Sequence, residues 1–212
     1  MAISPETALQ RLRDGNARFI DDNQPRYFDS VGRAALADGQ NPFAVVLGCS
    51  DSRVPVEIVF DQGLGDLFVI RVAGNVVAPS LIGSIEFAAQ KFDARLVVVL
   101  GHTRCGAVEA TLEAMQRPEE TESRNIASIV ERVRPAVEAL LDEGESLDEP
   151  DLIDRAVRRN VQFSVDAIRH GSPMIESLIR DQRLLIVGAE YSLATGVVDF
   201  FAGVPDPASA EE

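Results

Sequence analysis

Both cysteines of the chain lie beside polar side chains, within a few residues of the end of a short apolar run. Cys49 opens the sequence CSDSR, and Cys105 closes the sequence GHTRC, three residues after His102. Thiolate sulfur and imidazole nitrogen are ligands that Zn²⁺ prefers in proteins. Three such ligands leave a fourth coordination position open, which is typical of catalytic rather than structural zinc. The other histidine, His170, lies far along the chain, so the spacing favours a zinc site of Cys49, His102 and Cys105.

Other interpretations of these residues stay open at this point. A buried cysteine often acts only as a small apolar side chain. Either cysteine could instead be a nucleophile that His102 activates. The two cysteines could also form a disulfide, although two in 212 residues are too few for a disulfide scaffold. Asp51 and Arg53 could be no more than a surface ion pair, worth at most about 1 kcal/mol.

The elements around these residues predict an α/β fold. Short apolar runs occur at residues 43–47, 67–72, 96–100 and 184–187, and helix-like segments occur at residues 56–60, 80–92, 106–115 and 125–169. Consecutive apolar residues are expected of parallel strands that are covered on both faces. The alternation predicts a mostly parallel central sheet flanked by helices. Ligands bind beyond the carboxyl ends of such strands, where Cys49, His102 and Cys105 would meet.

We expect a single domain over residues 1–212, with a helical arm at 1–40, an α/β core at 41–205 and an acidic tail at 206–212. In the arm, Ser4 followed by Pro5 predicts a helix that begins there and ends near Phe19. Near the end of the core, residues 197–201 predict an antiparallel edge strand in a hairpin with residues 184–187.

Charge and hydropathy restrict the classes of partner. With 34 acidic and 20 basic residues, the formal net charge is −14, which argues against binding to nucleic acid or to anionic membranes. No apolar run approaches the roughly 18 residues of a membrane span. The N-terminal sequence MAISPETALQRLRDGN shows no secretory signal. These features predict a cytoplasmic protein.

The motifs CSDSRVP, RVAGN and GHTRCGAV occur in an order and spacing similar to those of β-class carbonic anhydrases. The resemblance includes PETALQRLRDGNARF near the start and LLIVGAEYSLATGVVDFF near the end, so it covers most of the chain. It implies one Zn²⁺ per chain, bound by Cys49, His102 and Cys105. It also implies reversible hydration of CO₂ to bicarbonate and a proton by zinc-bound hydroxide.

The resemblance further implies catalytic roles for Asp51 and Arg53. In the family, the aspartate accepts a hydrogen bond from the zinc-bound hydroxide, and the arginine holds the aspartate. In some members the same carboxylate moves onto the metal. A closed state with Asp51 as fourth ligand is therefore expected at low pH, and higher pH favours the open, active state.

Five further residues match positions that bind substrate in the family. Gln40 matches a glutamine that serves the adjacent subunit, and Phe68, Ala73 and Phe87 match apolar positions of the CO₂ pocket. Gly106 would bring its backbone N–H close to an anion at a helix start. Each of these residues has a simpler interpretation as a loop or core residue. Family members are homodimers or larger, and their N-terminal helix packs on the partner.

Departures from the family pattern limit these implications. One branch has a regulatory bicarbonate pocket with a Trp and a Tyr, where this chain has Val46 and Phe87, although Arg71 matches. No such pocket is expected here, and no proton-shuttle residue is identifiable. Two rival functions share the zinc ligands. These are a carbon disulfide or carbonyl sulfide hydrolase on the same scaffold, and a zinc-binding module without catalysis.

Overall fold

A five-stranded sheet forms the centre of the computed structural model, which describes residues 3–23, 33–34, 36–117, 123–144, 146 and 151–205. Its strands are β1 (Ala44–Gly48), β2 (Leu67–Arg71), β3 (Leu96–His102), β4 (Leu185–Tyr191) and β5 (Val198–Ala202). They lie in the order β2-β1-β3-β4-β5, and only the pairing of β4 with β5 is antiparallel. The predicted fold class and edge strand are confirmed.

The described helices are α1 (Pro5–Ile20), α2 (Val56–Val59), α3 (Pro79–Phe92), α4 (Gly106–Gln116), α5 (Arg124–Asp142), α6 (Leu152–Arg169), α7 (Pro173–Arg180) and a one-turn 3₁₀ helix (Ala73–Asn75). The predicted helical stretch at 125–169 is wrong in one respect, because it is divided into α5 and α6. Helix α7 was not predicted. Its signal was Ser172 before Pro173, and the Ser172 hydroxyl accepts hydrogen bonds from the backbone of the first turn.

Helix α1 packs on the sheet of its own chain. It begins where the Ser4 hydroxyl accepts a hydrogen bond from the backbone N–H of Thr7. Leu9 and Leu12 are buried in the same core cluster as Phe60. The expected packing of α1 on a dimer partner stays a prediction, and it would use the face that is exposed in the single chain. The division into arm, core and tail also stays a prediction, and residues 206–212 lie outside the described ranges.

Apolar cores cover both faces of the sheet. Alternate residues of β1 divide between them, with Val46 in one cluster and Val45 and Leu47 in the other. This explains the consecutive apolar residues, since neither face of the strand meets water. Within the described ranges, no helix is both long and apolar enough to cross a membrane.

Two glycines allow α6 to lie close against the sheet. A Cβ atom added to Gly101 on β3 would lie 2.6 Å from a methyl carbon of Val161 on α6. One added to Gly188 on β4 would lie 2.6 Å from the other methyl carbon of the same valine. Larger residues here would push α6 away from the strand ends.

Asn16 joins α1 to two other parts of the fold. Its buried side-chain amide donates hydrogen bonds to the carbonyls of Val59 (3.1 Å) and Gly196 (2.8 Å), and its Oδ1 accepts one from the N–H of Val198 (2.9 Å). One side chain thus satisfies three backbone groups, in α2, before β5 and in β5.

We expect Asn16→Ala to lower the free energy of unfolding by roughly 2–4 kcal/mol, because three buried backbone groups lose their partner. Urea denaturation would measure the loss. Gln10→Ala is the matched control, since the Gln10 amide donates a hydrogen bond to the exposed Asp14 carboxylate at the surface of α1 (2.7 Å). Equal stability of the two variants would contradict this role of Asn16.

Candidate metal centre

The three predicted donors meet at one edge of the sheet. Cys49 directly follows β1, His102 is the last residue of β3, and Cys105 precedes the first turn of α4. Because β1 and β3 pair in parallel, their carboxyl ends lie side by side. All three residues are buried, and their ligand atoms lie within 4.8 Å of one another.

The donor atoms fit a metal ion. The two Sγ atoms are 4.0 Å apart, close to the about 3.8 Å expected for two sulfurs on one tetrahedral zinc. Nδ1 of His102 lies 2.9 Å from the Thr103 carbonyl, which favours the tautomer with the proton on Nδ1. Nε2 then carries the lone pair, and it is buried without a hydrogen-bond partner among the described residues. A buried, unpartnered imidazole nitrogen beside two thiols is what a metal ligand requires.

Each of the two thiols shifts the pKa of the other. A hydrogen bond from the Cys105 thiol, against the effect of burial, lowers the pKa of Cys49 to about 4. The same pairing, together with burial, raises the pKa of Cys105. Burial acts to lower the pKa of His102, but the proximity of Cys49 and of the Thr103 carbonyl outweighs it and the pKa is raised. Without a metal ion, the Cys105 thiol therefore keeps a proton that a metal ion would displace.

The alternatives from the sequence fare less well. Both cysteines are free, and 4.0 Å between the sulfurs is about twice the length of a disulfide bond. A catalytic pair of nucleophile and base requires only one cysteine and one histidine. It would not explain why the second thiol lies in the same group. The three donors together favour metal binding.

Asp51 and Arg53 form a two-point ion pair beside the donors. The Asp51 carboxylate accepts hydrogen bonds from Nε (2.9 Å) and Nη2 (2.7 Å) of Arg53, and a third from the Arg53 backbone N–H (2.9 Å). Arg53 thereby holds the pKa of Asp51 well below its usual range. Oδ2 of Asp51 lies 3.9 Å from Nε2 of His102, so the carboxylate borders the donor group. This matches the open arrangement, and the closed state with Asp51 on the metal stays a prediction.

Two residues with unpredicted contacts support this group. Arg71, the last residue of β2, donates hydrogen bonds to the carbonyls of Cys49 (3.0 Å) and Asp51 (2.6 Å) and so fixes the loop between them. The backbone N–H of Gly74 donates to Sγ of Cys49 (3.3 Å). The only sequence signal for these contacts was the RVAGN motif at the end of the neighbouring strand. Val46, which stands at the position of the family's regulatory Trp, is buried in the core.

Two of the five predicted substrate-binding residues lie at the donor edge of the sheet. Ala73 lies in the 3₁₀ helix immediately before Gly74, and Gly106 directly follows Cys105 at the start of α4. A Cβ atom added to Gly106 would contact nothing within 4 Å, so there is open space beside this glycine.

The other three lie elsewhere in the single chain. Phe68 and Phe87 form an aromatic cluster with Phe92, with ring centroids 5.8–6.2 Å apart, and Phe87 is 53% exposed. Phe68 stands three residues before the end of β2, about 10 Å back along the strand. Gln40 precedes β1 and is therefore at the opposite edge of the sheet from Cys49. Substrate binding by these three residues stays a prediction.

Comparisons with known proteins identify the family of the chain. The family model described as carbonic anhydrase matches residues 44–198. A carbonic anhydrase of Mycolicibacterium smegmatis is 42% identical over 206 residues, covering 96% of each chain. Carbonic anhydrase 2 of Mycobacterium tuberculosis is 41% identical over 194 residues, covering 91% of each chain.

Solved structures give the same result. The β-carbonic anhydrase CcaA superposes with a TM-score of 0.72 at 27% identity, over 94% of this chain and 93% of that one. The β-carbonic anhydrase of Coccomyxa, solved with acetazolamide, has a TM-score of 0.70 at 26% identity, over 93% and 85% of the two chains. The chain belongs to the β-class carbonic anhydrase family. Enzymes of this family are lyases, classed as carbonate dehydratases.

We expect the purified protein to bind one metal ion per chain and His102→Ala to lose it, because Nε2 is then missing from the donor set. His170→Ala is the matched control, since that second histidine is exposed at the C-terminal end of α6, with its Nδ1 3.8 Å from the Glu176 carboxylate. Elemental analysis after dialysis would measure the metal. Equal metal content in the two histidine variants would contradict the assignment.

Adding Zn²⁺ to metal-free protein at neutral pH should also release protons, among them that of the Cys105 thiol. Titration in weak buffer with a pH indicator would detect them, and the same titration of His102→Ala is the control.

Proposed function

We propose that the chain binds one Zn²⁺ through Cys49, His102 and Cys105 and catalyses the reversible hydration of CO₂ to bicarbonate and a proton. The observation that carries the proposal is the buried, unpartnered Nε2 of His102 beside two thiols, with the Asp51–Arg53 pair at their border. Zinc lowers the pKa of water that it binds, to about 7 in the three-histidine carbonic anhydrases, and so supplies hydroxide near neutral pH.

Asp51 and Arg53 are the proposed catalytic residues. Because the pKa of Asp51 is held below its usual range, its carboxylate stays charged from about pH 5 to pH 9 and accepts a hydrogen bond from the nucleophile. Arg53 occupies both carboxylate oxygens and restricts the directions in which Asp51 can turn. A rise in activity between about pH 6.5 and pH 8.5 would therefore not come from ionisation of Asp51.

Substrate binding is proposed for Gln40, Phe68, Ala73, Phe87 and Gly106. Gly106 begins an 11-residue helix, whose first N–H groups and dipole favour an anion such as bicarbonate. Gln40, Phe68 and Phe87 would serve the centre of a second subunit, so a homodimer is the smallest active unit that we propose. A cytoplasmic location also stays a prediction.

The substrate separates this function from its rivals. Stopped-flow assays of CO₂ hydration and of carbon disulfide and carbonyl sulfide turnover should show activity toward CO₂. Turnover of the sulfur compounds alone would replace the proposal with a hydrolase on the same scaffold. Zinc binding without any turnover would leave a binding module, which has no use for a carboxylate held in place by Arg53.

We expect Arg53→Ala to keep its zinc but to lose about 10- to 100-fold in activity, because Asp51 is no longer held. Arg95→Ala is the matched control, since Arg95 makes the same two-point pair with Asp93, also two residues away, outside the metal centre. Stopped-flow kinetics and metal analysis would compare the variants. Parent-like rates in Arg53→Ala would refute the orienting role.

Gln40 allows a test of the shared site. Gln40→Ala and His102→Ala should each be weakly active alone, but a mixed dimer should regain one complete site, because each subunit supplies what the other lacks. The control pairs the parent with the double variant, which should give no complete site in the mixed dimer. Absence of complementation in co-expressed, purified mixed dimers would show that Gln40 does not serve its partner.

A further inference from the structure

The buried face of α6 carries two polar side chains in an otherwise apolar stripe. Asn160 and Ser164 are only 2% and 5% exposed. Their neighbours on this face, Val157, Val161 and Val165, pack in the apolar cores. A buried amide or hydroxyl is unfavourable unless it is hydrogen-bonded, so these two positions require partners.

Both partners belong to the turn that follows β2. Nδ2 of Asn160 donates a hydrogen bond to the carbonyl of Gly74 (2.8 Å), and Oγ of Ser164 donates one to the carbonyl of Asn75 (3.1 Å). The N–H of Gly74 in turn donates to Sγ of Cys49 (3.3 Å). A continuous chain of hydrogen bonds therefore leads from α6 through one turn to a metal-ligand sulfur.

The backbone of this turn has an unusual conformation. Gly74 and Asn75 are both left-handed, with φ of 69° and 44°. Only glycine adopts such angles freely, and two in succession need support from the surroundings. A Cβ atom added to Gly74 would lie 3.0 Å from Cβ of Ala107 and 3.4 Å from a methyl carbon of Val133. The turn is thus packed against α4 and α5 and hydrogen-bonded to α6.

We propose that Asn160 and Ser164 are positioning residues that hold the Gly74 N–H on the Cys49 sulfur and so set how much charge this sulfur donates to the metal ion. An N–H bond to a thiolate withdraws electron density from the sulfur, and the metal ion then keeps more of its positive charge. The inference rests on the metal centre of the proposed function, and it is independent of CO₂ as the substrate.

Cobalt(II) in place of zinc makes the sulfur charge visible, because thiolate-to-cobalt charge-transfer bands absorb in the near ultraviolet. In Asn160→Leu and Ser164→Ala, the freed turn should move these bands to longer wavelength, because the sulfur then donates more charge to the cobalt ion. Ser164→Thr keeps the hydroxyl and should retain the parent spectrum. Val165→Ala removes buried volume from the same helix face but leaves both hydrogen bonds to the turn in place, and it should also retain the parent bands.

Several outcomes would overturn the inference. If Asn160→Leu and Ser164→Ala fold and keep parent-like bands, the turn keeps its conformation without hydrogen bonds from these side chains. An equal band shift in Val165→Ala would make the effect one of general packing. If Asn160→Leu fails to fold, Ser164→Ala alone decides. If the parent protein with cobalt shows no thiolate bands, the assignment of the metal centre itself is wrong. This outcome differs from the ones above, so failure of the metal centre and failure of the positioning role are distinguishable.

Discussion

The parallel pairing of β1 with β3 is the interaction on which the rest of the centre depends. Its register pairs Gly48 with Leu100, so Cys49 leaves one strand where His102 ends the other. Because side chains alternate along a strand, a slip by one residue would turn His102 to the opposite face of the sheet. The apolar cores on both faces stabilise the register, since any slip would expose part of them.

Burial at this edge determines the electrostatics of the donors. Two thiols and an imidazole with little access to water cannot all take the forms that bind metal, because a second thiolate would add a like charge beside Cys49. A divalent cation removes this conflict and stabilises the whole group at once. Asp51 is outside the buried group, and its charge is balanced by Arg53. The carboxylate can therefore remain ionised beside the metal without adding to the unfavourable burial of charge.

The sequence predicted the parts that depend on local pattern. Consecutive apolar runs marked the parallel strands, and the motifs after them marked Cys49, His102 and Cys105, because strand ends and ligand types are both readable from residue order. The division between α5 and α6 was less visible, since both segments are amphipathic and its signal was the charged stretch at residues 142–151, which is typical of a solvated loop.

Contacts between distant elements were not predictable in the same way. Nothing in the residue order connects Asn160 with Gly74, which lie 86 positions apart, and the contact exists because Gly101 and Gly188 let α6 approach the sheet. The positions of Gln40, Phe68 and Phe87 away from the donors are equally a property of topology. A motif names such residues, but the strand directions decide where Gln40 and Phe68 lie relative to Cys49.

The group of Cys49, His102 and Cys105 is proposed to be a catalytic zinc centre. Titration of metal-free protein with Zn²⁺, followed by stopped-flow CO₂ hydration, tests it most directly. Activity should rise in proportion to added zinc and stop rising at one equivalent per chain, as three ligands in one group require. Full activity in protein shown by elemental analysis to be free of metal would contradict the account.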